Sequence, residues 1–248
     1  MGAEVGSSKV KLVTAWSAMR DLIPISQSGP RQHVGMCMAW EQRTSQIAVG
    51  GDSKTMRIWD ANKEMKALQF QTGSDMSYVS GLNFAANSAP NLICAGFGDG
   101  SVRMYDIRQH RPLVQAYTDL KDQILDCQIQ DSGGFVGNLV CGSKDGAVRV
   151  YDTKAKQVVR SLNLGQKIVN LSIHKRAFAL AAWTANQYVT IHSLLANGPQ
   201  LNVIKNHEGI LGHRLGPVGC LSFHPHLLEL ATGPTDGSVA VYTLRKTI

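Results

Sequence analysis

One short phrase recurs down the chain and constrains its fold more than any other feature. It reads Thr55-Met56-Arg57-Ile58-Trp59-Asp60, then Ser101-Val102-Arg103-Met104-Tyr105-Asp106, then Ala147-Val148-Arg149-Val150-Tyr151-Asp152. A degraded copy follows at Tyr188–His192, and a fifth at Ser238–Tyr242. Measured between the anchoring aromatic or His residues, the intervals are 46, 46, 41 and 50 residues. A period of this size means that stacked supersecondary units build the fold.

Each copy has the same grammar. Six residues before the anchor stands a turn former: Ser53, Asp99, Asp145, Asn186 or Asp236. Gly100, Gly146 and Gly237 follow directly in three copies. Asp-Gly between two β-rich runs is a strong hairpin signal, because both residues tolerate positive φ, and it predicts a tight turn that uses both. A small-residue run such as Leu92-Ile-Cys-Ala-Gly96 precedes the turn, and an alternating strand such as Val79-Ser-Gly-Leu-Asn-Phe84 precedes that. After the anchor, a polar loop leads to a fourth run such as Val158-Val-Arg-Ser-Leu162. The prediction is all-β: five blades of the four-stranded kind, arranged radially as a β-propeller. They span about 33–70, 78–117, 124–162, 168–204 and 218–248, the last stopping after its third strand. Before them come a disordered stretch (1–10), an orphan strand (Lys11–Trp16) and a connection to Gln32. The orphan strand either closes a five-membered ring or is the outer strand of a further blade.

Composition narrows the function classes. No apolar run approaches the ~18 residues of a membrane-crossing helix, and the opening residues lack a leader-type apolar segment, which predicts neither membrane insertion nor secretion. The five cysteines are scattered and flanked by apolar residues, which predicts reduced, buried thiols. The formal charge is +7, but no cluster of five or more Lys/Arg exists, which favours protein partners over nucleic acid.

The candidate chemistry dissolves into fold grammar. Gly96-Phe-Gly98-Asp-Gly100 lies between two predicted strands, not ahead of a helix that could hold a phosphate, so it reads as a hairpin turn. His224-Pro225-His226 reads as the turn between the first two strands of its blade. No four-ligand zinc spacing is visible around the eight histidines. Asp60, Asp106 and Asp152 hold one register, and a residue repeated once per blade is a fold determinant, since catalysis needs unlike groups converging. The same holds for Trp59, Tyr105, Tyr151 and Tyr242, and for Arg57, Arg103 and Arg149, whose stems are expected to stack and pack. No catalytic residue, cofactor, metal or small-molecule substrate is predicted.

Trp59-Asp60 with its Tyr-Asp variants, the Asp-Gly turn six before, and Gly212-His213 ahead of Val218-Gly-Cys-Leu-Ser-Phe223 resemble tryptophan–aspartate (WD) repeats. The Gly-His half is otherwise missing and the fourth copy lacks both Trp/Tyr and Asp, so the hydrogen-bonded tetrad of that family cannot be complete in most blades. Leu12-Val-Thr-Ala-Trp16, Asp21-Leu-Ile-Pro24, Gly96-Phe-Gly-Asp-Gly-Ser-Val-Arg103 and Phe223-His-Pro-His226, in this order, resemble the C-terminal propeller of the raptor family. That resemblance runs from about Lys11 to Lys246. It implies a seven-bladed ring of which this chain would be a part, and a scaffold subunit of TOR complex 1. Such a scaffold would link the TOR kinase to substrates and amino-acid signals, in the cytoplasm with recruitment to the lysosome surface.

A competing resemblance rests on Tyr105-Asp-Ile-Arg108, which is similar to the box by which some WD proteins dock on the cullin-4 ubiquitin-ligase adaptor. It implies a substrate receptor. For partner contact the sequence points to Arg108 and to the long loop Asn206–Pro217, with His207, Glu208, His213 and Arg214.

Overall fold

A computed structural model describes residues 36–73, 77–85, 89–132, 135–186, 188–195, 200–205 and 218–243. The stretch 1–10, the strand Lys11–Trp16 and the connection to Gln32 lie outside the described residues. So does the loop Asn206–Pro217 with His207, Glu208, His213 and Arg214.

Every described element is a strand, and each sheet is a simple antiparallel meander. Blade 1 holds β1 (Cys37–Glu41), β2 (Gln46–Gly50), β3 (Thr55–Asp60) and β4 (Met65–Gln71). Blade 2 holds β5 (Val79–Phe84), β6 (Leu92–Phe97), β7 (Val102–Asp106) and β8 (Leu113–Tyr117). Blade 3 holds β9 (Ile124–Ser132), β10 (Phe135–Ser143), β11 (Ala147–Asp152) and β12 (Gln157–Asn163). Blade 4 holds β13 (Ile168–Ile173), β14 (Ala179–Thr184), β15 (Tyr188–Ser193) and β16 (Gln200–Lys205). Blade 5 has three described strands, β17 (Val218–Phe223), β18 (Glu229–Pro234) and β19 (Ala240–Thr243). No described helix is long and apolar enough to cross a membrane.

The first strands lie side by side, β1 on β5, β5 on β9, β9 on β13 and β13 on β17, so the blades fan out around one axis. The outer strands β4 and β12 are largely exposed. The core lies between blades, not within them. Each of four buried apolar clusters is built by two neighbours. Between blades 2 and 3, for example, Cys94, Met104 and Tyr117 meet Ile124, Leu139 and Tyr151. Burying one such side chain contributes about 1.5 to 3 kcal/mol.

The glycines near the ends of β2, β6 and β10 follow from this packing. A Cβ on Gly50 would lie 3.2 Å from Val79 of the next blade. One on Gly96 would overlap Ile124, and one on Gly142 would overlap Leu171. Each glycine is the floor on which the first strand of the following blade rests.

Two features differ from the sequence expectation. The Asp-Gly turns are not two-residue turns with positive φ at both positions. Gly100 N–H reaches Phe97 O (3.2 Å), Phe97 N–H reaches Ser101 O (2.9 Å), and the left-handed residue is Gly100 alone, at φ 85°. Gly146 repeats this at φ 97°. This is a three-residue loop closed by a left-handed glycine, the next commonest hairpin design. The Asp serves by its side chain: Asp99 Oδ1 accepts from Ser101 N (2.9 Å) and Oγ (2.7 Å). The second difference concerns the cysteines. Cys94, Cys127 and Cys141 are buried free thiols, but Cys37 is half-buried and Cys220 is exposed.

Candidate interaction face

The anchor Asp of each clear repeat caps the loop after the third strand. Asp60 Oδ1 accepts from the amides of Asn62 and Lys63 (both 3.0 Å), and Asp152 Oδ1 from those of Lys154 (2.7 Å) and Ala155 (2.9 Å). These amides hold both carboxyls below the usual carboxylate range. Asp106 does the same with Arg108 N (3.0 Å) and also takes the Arg108 side chain, Nε on Oδ1 (2.9 Å) and Nη2 on Oδ2 (2.7 Å). Arg108, singled out as a partner contact, thus closes a two-pronged ion pair within its own loop. Asp145 Oδ1 (to Ala147 N, 3.0 Å) and Asp236 Oδ1 (to Ser238 N, 2.8 Å) shape the opposite rim as Asp99 does.

The anchor aromatics are joints between blades. Tyr105 packs on Phe70 of blade 1 with ring centroids 5.3 Å apart, and its hydroxyl donates to Thr72 O at 2.7 Å. Arg103 Nη1 donates to the same carbonyl (2.8 Å), and its guanidinium lies 4.8 Å over the Phe97 ring. Tyr151 packs on Tyr117 of blade 2 at 4.2 Å, with its hydroxyl on Asp119. Burial pushes both phenols well above their ordinary range. Arg57 is buried and donates from Nε to Gln69 (3.0 Å), and Arg149 Nη1 reaches Val148 O (3.2 Å). Trp59 and Tyr242 are half-buried in β3 and β19. In blade 4 the anchor is His192, whose pKa burial lowers and whose Nε2 has no partner among the described residues.

The loops between first and second strands form one rim, and side chains at its corners fold it. Glu41 Oε1 accepts from Arg43 N (3.1 Å). His174 Nδ1 accepts from Arg176 N (3.0 Å) and Ala177 N (2.7 Å), and His224 Nδ1 from His226 N (3.1 Å) and Leu227 N (2.9 Å). His224-Pro225-His226 is therefore the turn that the sequence predicted. Burial lowers the His174 pKa below the ordinary histidine value. Among the described residues no group of three His, Cys, Asp or Glu side chains could hold a metal ion.

Sequence reasoning missed the axial cavity, of about 370 Å³, which all five first strands line. On its wall Asp126 ties three blades together. Its Oδ1 accepts from Asn83 Nδ2 (2.9 Å) of blade 2 and its Oδ2 from Ile173 N (3.1 Å) of blade 4. Burial outweighs these bonds and pushes the carboxyl up to about 6. The register gave no signal for it, because Gly81 and Asn170 stand in the same place in blades 2 and 4. A second hollow of about 260 Å³ adjoins at the rim, lined by Trp40 to Arg43, Lys175, Arg176, Pro225 and His226.

Comparison with known proteins came to the same architecture. Residues 26–60, 113–152 and 203–243 match the family described as "WD domain, G-beta repeat". Target of rapamycin complex 1 subunit mip1 of Schizosaccharomyces pombe is 30% identical over 97% of this chain and 18% of its own length. Regulatory-associated protein of TOR 1 of Arabidopsis thaliana is 29% identical over 95% of this chain and 17% of its own. The protein raptor homolog of Dictyostelium discoideum is 27% identical over 94% and 15%. The chain thus spans less than a fifth of the length of these relatives. Among solved structures, the crystal structure of Chaetomium thermophilum Raptor matches with a TM-score of 0.74 at 24% identity, covering 86% of this chain and 20% of that one. That likeness establishes the fold.

Proposed function

We propose, from the premise that this chain is a raptor homologue built of WD repeats, that it is a non-catalytic protein-interaction module of a TOR complex 1. In this role its rims would hold the TOR kinase near substrates and amino-acid signals, in the cytoplasm and at the lysosome surface. The observation that carries the reading is the alignment itself: a relative named as a target of rapamycin complex 1 subunit matches along 97% of the chain. The geometry supports it, because the repeated Asp, Tyr and Arg residues are spent on capping loops and joining blades.

The cullin-4 receptor reading draws no support from Arg108, whose guanidinium is engaged by Asp106. A graft tests the main reading. The chain replaces the aligned segment of the fission-yeast subunit, and TOR kinase is recovered through a tag on the chimera. Recovery at the level of the unmodified subunit, with growth sustained, is expected. A chimera that accumulates and folds but recovers no kinase would overturn the proposal.

A further inference from the structure

The rim hollow beside the axial cavity differs from the rest of the surface. Trp40 is 48% exposed there, whereas Tyr105, Tyr117, Tyr151 and Trp183 are buried in the joints between blades. Lys175 and Arg176 are exposed at its edge, with Arg43 across from them on blade 1. The carboxylate among them, Glu41, is buried and already accepts from the Arg43 amide. Asp126 lies deeper in the adjoining cavity, with both oxygens bonded and Lys175 exerting an attraction on it. His174, behind the rim, is buried, with its Nδ1 accepting two backbone amides. The mouth is therefore cationic, with one apolar aromatic plate.

We infer that this hollow is a docking site for an acidic peptide segment that carries a large apolar side chain. Its carboxylates lie on Lys175 and Arg176, and its apolar side chain covers Trp40. The inference rests on the docking-module reading above and gives it a surface and a partner chemistry. Single-stranded nucleic acid fits less well, because binding it takes a run of stacking aromatics and a basic track, and here one indole stands beside three cations and a carboxylate. A charged rim with an aromatic anchor is the pattern by which protein partners are steered and then held.

The test titrates the full 248-residue chain against a fluorescein-labelled peptide of alternating Glu and Leu at low ionic strength. Saturable binding is expected, with a change in tryptophan emission that Trp40→Phe abolishes. The double variant Lys175→Glu/Arg176→Glu should weaken binding about tenfold or more. Lys144→Glu, the same kind of charge change on the opposite rim, should leave it unchanged, and all variants should keep the parent Tm. No binding, an equal loss with Lys144→Glu, or tighter binding of an oligothymidylate would overturn the inference. Self-association of the chain that the double variant abolishes would overturn it too, since a second copy would then be the occupant. The kinase-recovery graft reads the docking-module proposal separately: a double-variant chimera that still recovers kinase leaves that proposal standing whatever the peptide does.

Discussion

The joint between blades 2 and 3 and the far side of blade 5 are built from the same repeat, yet they meet opposite environments. At the joint, Gly96 lies under Ile124, Cys94, Cys127 and Cys141 have no exposed surface, and Tyr117 packs on Tyr151. In blade 5 the corresponding Gly233 faces Cys220 of its own sheet, Cys220 is exposed, and Val239 and Val241 are 74% and 63% exposed. What the repeat encodes is therefore the contact between blades. A blade's own strands set its hydrogen bonds, but its apolar face is satisfied only by a neighbour.

The two glycines separate these environments most sharply. Gly96→Ala forces a methyl group into Ile124, a β-branched, fully buried side chain with no room to turn. Overpacking of this kind should cost about 2 to 3 kcal/mol in urea unfolding. At Gly233 the added Cβ would meet only the Cys220 Sγ, at 2.7 Å, and that exposed side chain can rotate away. Gly233→Ala should therefore lie within about 0.5 kcal/mol of the parent. Equal effects at the two sites would break the comparison.

Removing one hydroxyl is a gentler probe of the same contrast. Tyr105→Phe deletes the bond to Thr72 O in a buried joint and should cost about 1 to 1.5 kcal/mol. Tyr242→Phe, at the half-buried anchor of blade 5, should cost less than about 0.5 kcal/mol in the same assay.

Asp126 extends the comparison to the axis and to pH. Its carboxyl is raised to about 6 in the fold, above the ordinary value of 3.8, so the native state binds more protons than the unfolded chain in that window. Its contribution is greatest below pH 3.8 and is lost as pH rises through 6. Asp60, Asp106 and Asp152 act oppositely: their carboxyls are lowered, and the stability they confer is lost as pH falls below the ordinary carboxylate value. Asp126→Asn should flatten the fall of Tm between pH 4 and 6 while leaving the acid limb that those loop caps set. An unchanged slope would remove Asp126 from the account.

Much of this was legible in the sequence, because turn chemistry and period are local. The strands, the loop-capping Asp residues and the His224 turn all follow from short words read in register. The degraded fourth copy is instructive. It lacks the anchor aromatic and its Asp, yet its fourth strand skips one residue between Ile191 and His192, as the others do beside Trp59, Tyr105 and Tyr151. The bulge survives where the word has decayed, since backbone geometry is set by the sheet and not by the one side chain. What could not be read was anything depending on which blade lies next. The Gly96–Ile124 contact, the Asp126 tie and the exposed Trp40 each join residues about 30 or more positions apart, or expose a residue because of such a neighbour.

The smallest effect expected on stability is also the most direct reading of blade 5. Maleimide reacts with thiolates that solvent can reach. Cys220 should be modified first and without loss of Tm, because its side chain lies on the uncovered face with Val239 and Val241. Cys37 should lag, since burial raises its thiol to about 11 and it donates to Val79 O. Cys94, Cys127 and Cys141 should react only in denaturant, as burial pushes Cys141 far up and Cys127 is further held by Cys94. Mass spectrometry of the labelled peptides gives this order directly. If Cys220 were as slow as Cys127, the far face of blade 5 would be covered in solution. The contrast with the joint between blades 2 and 3 would then be one of partner and not of exposure.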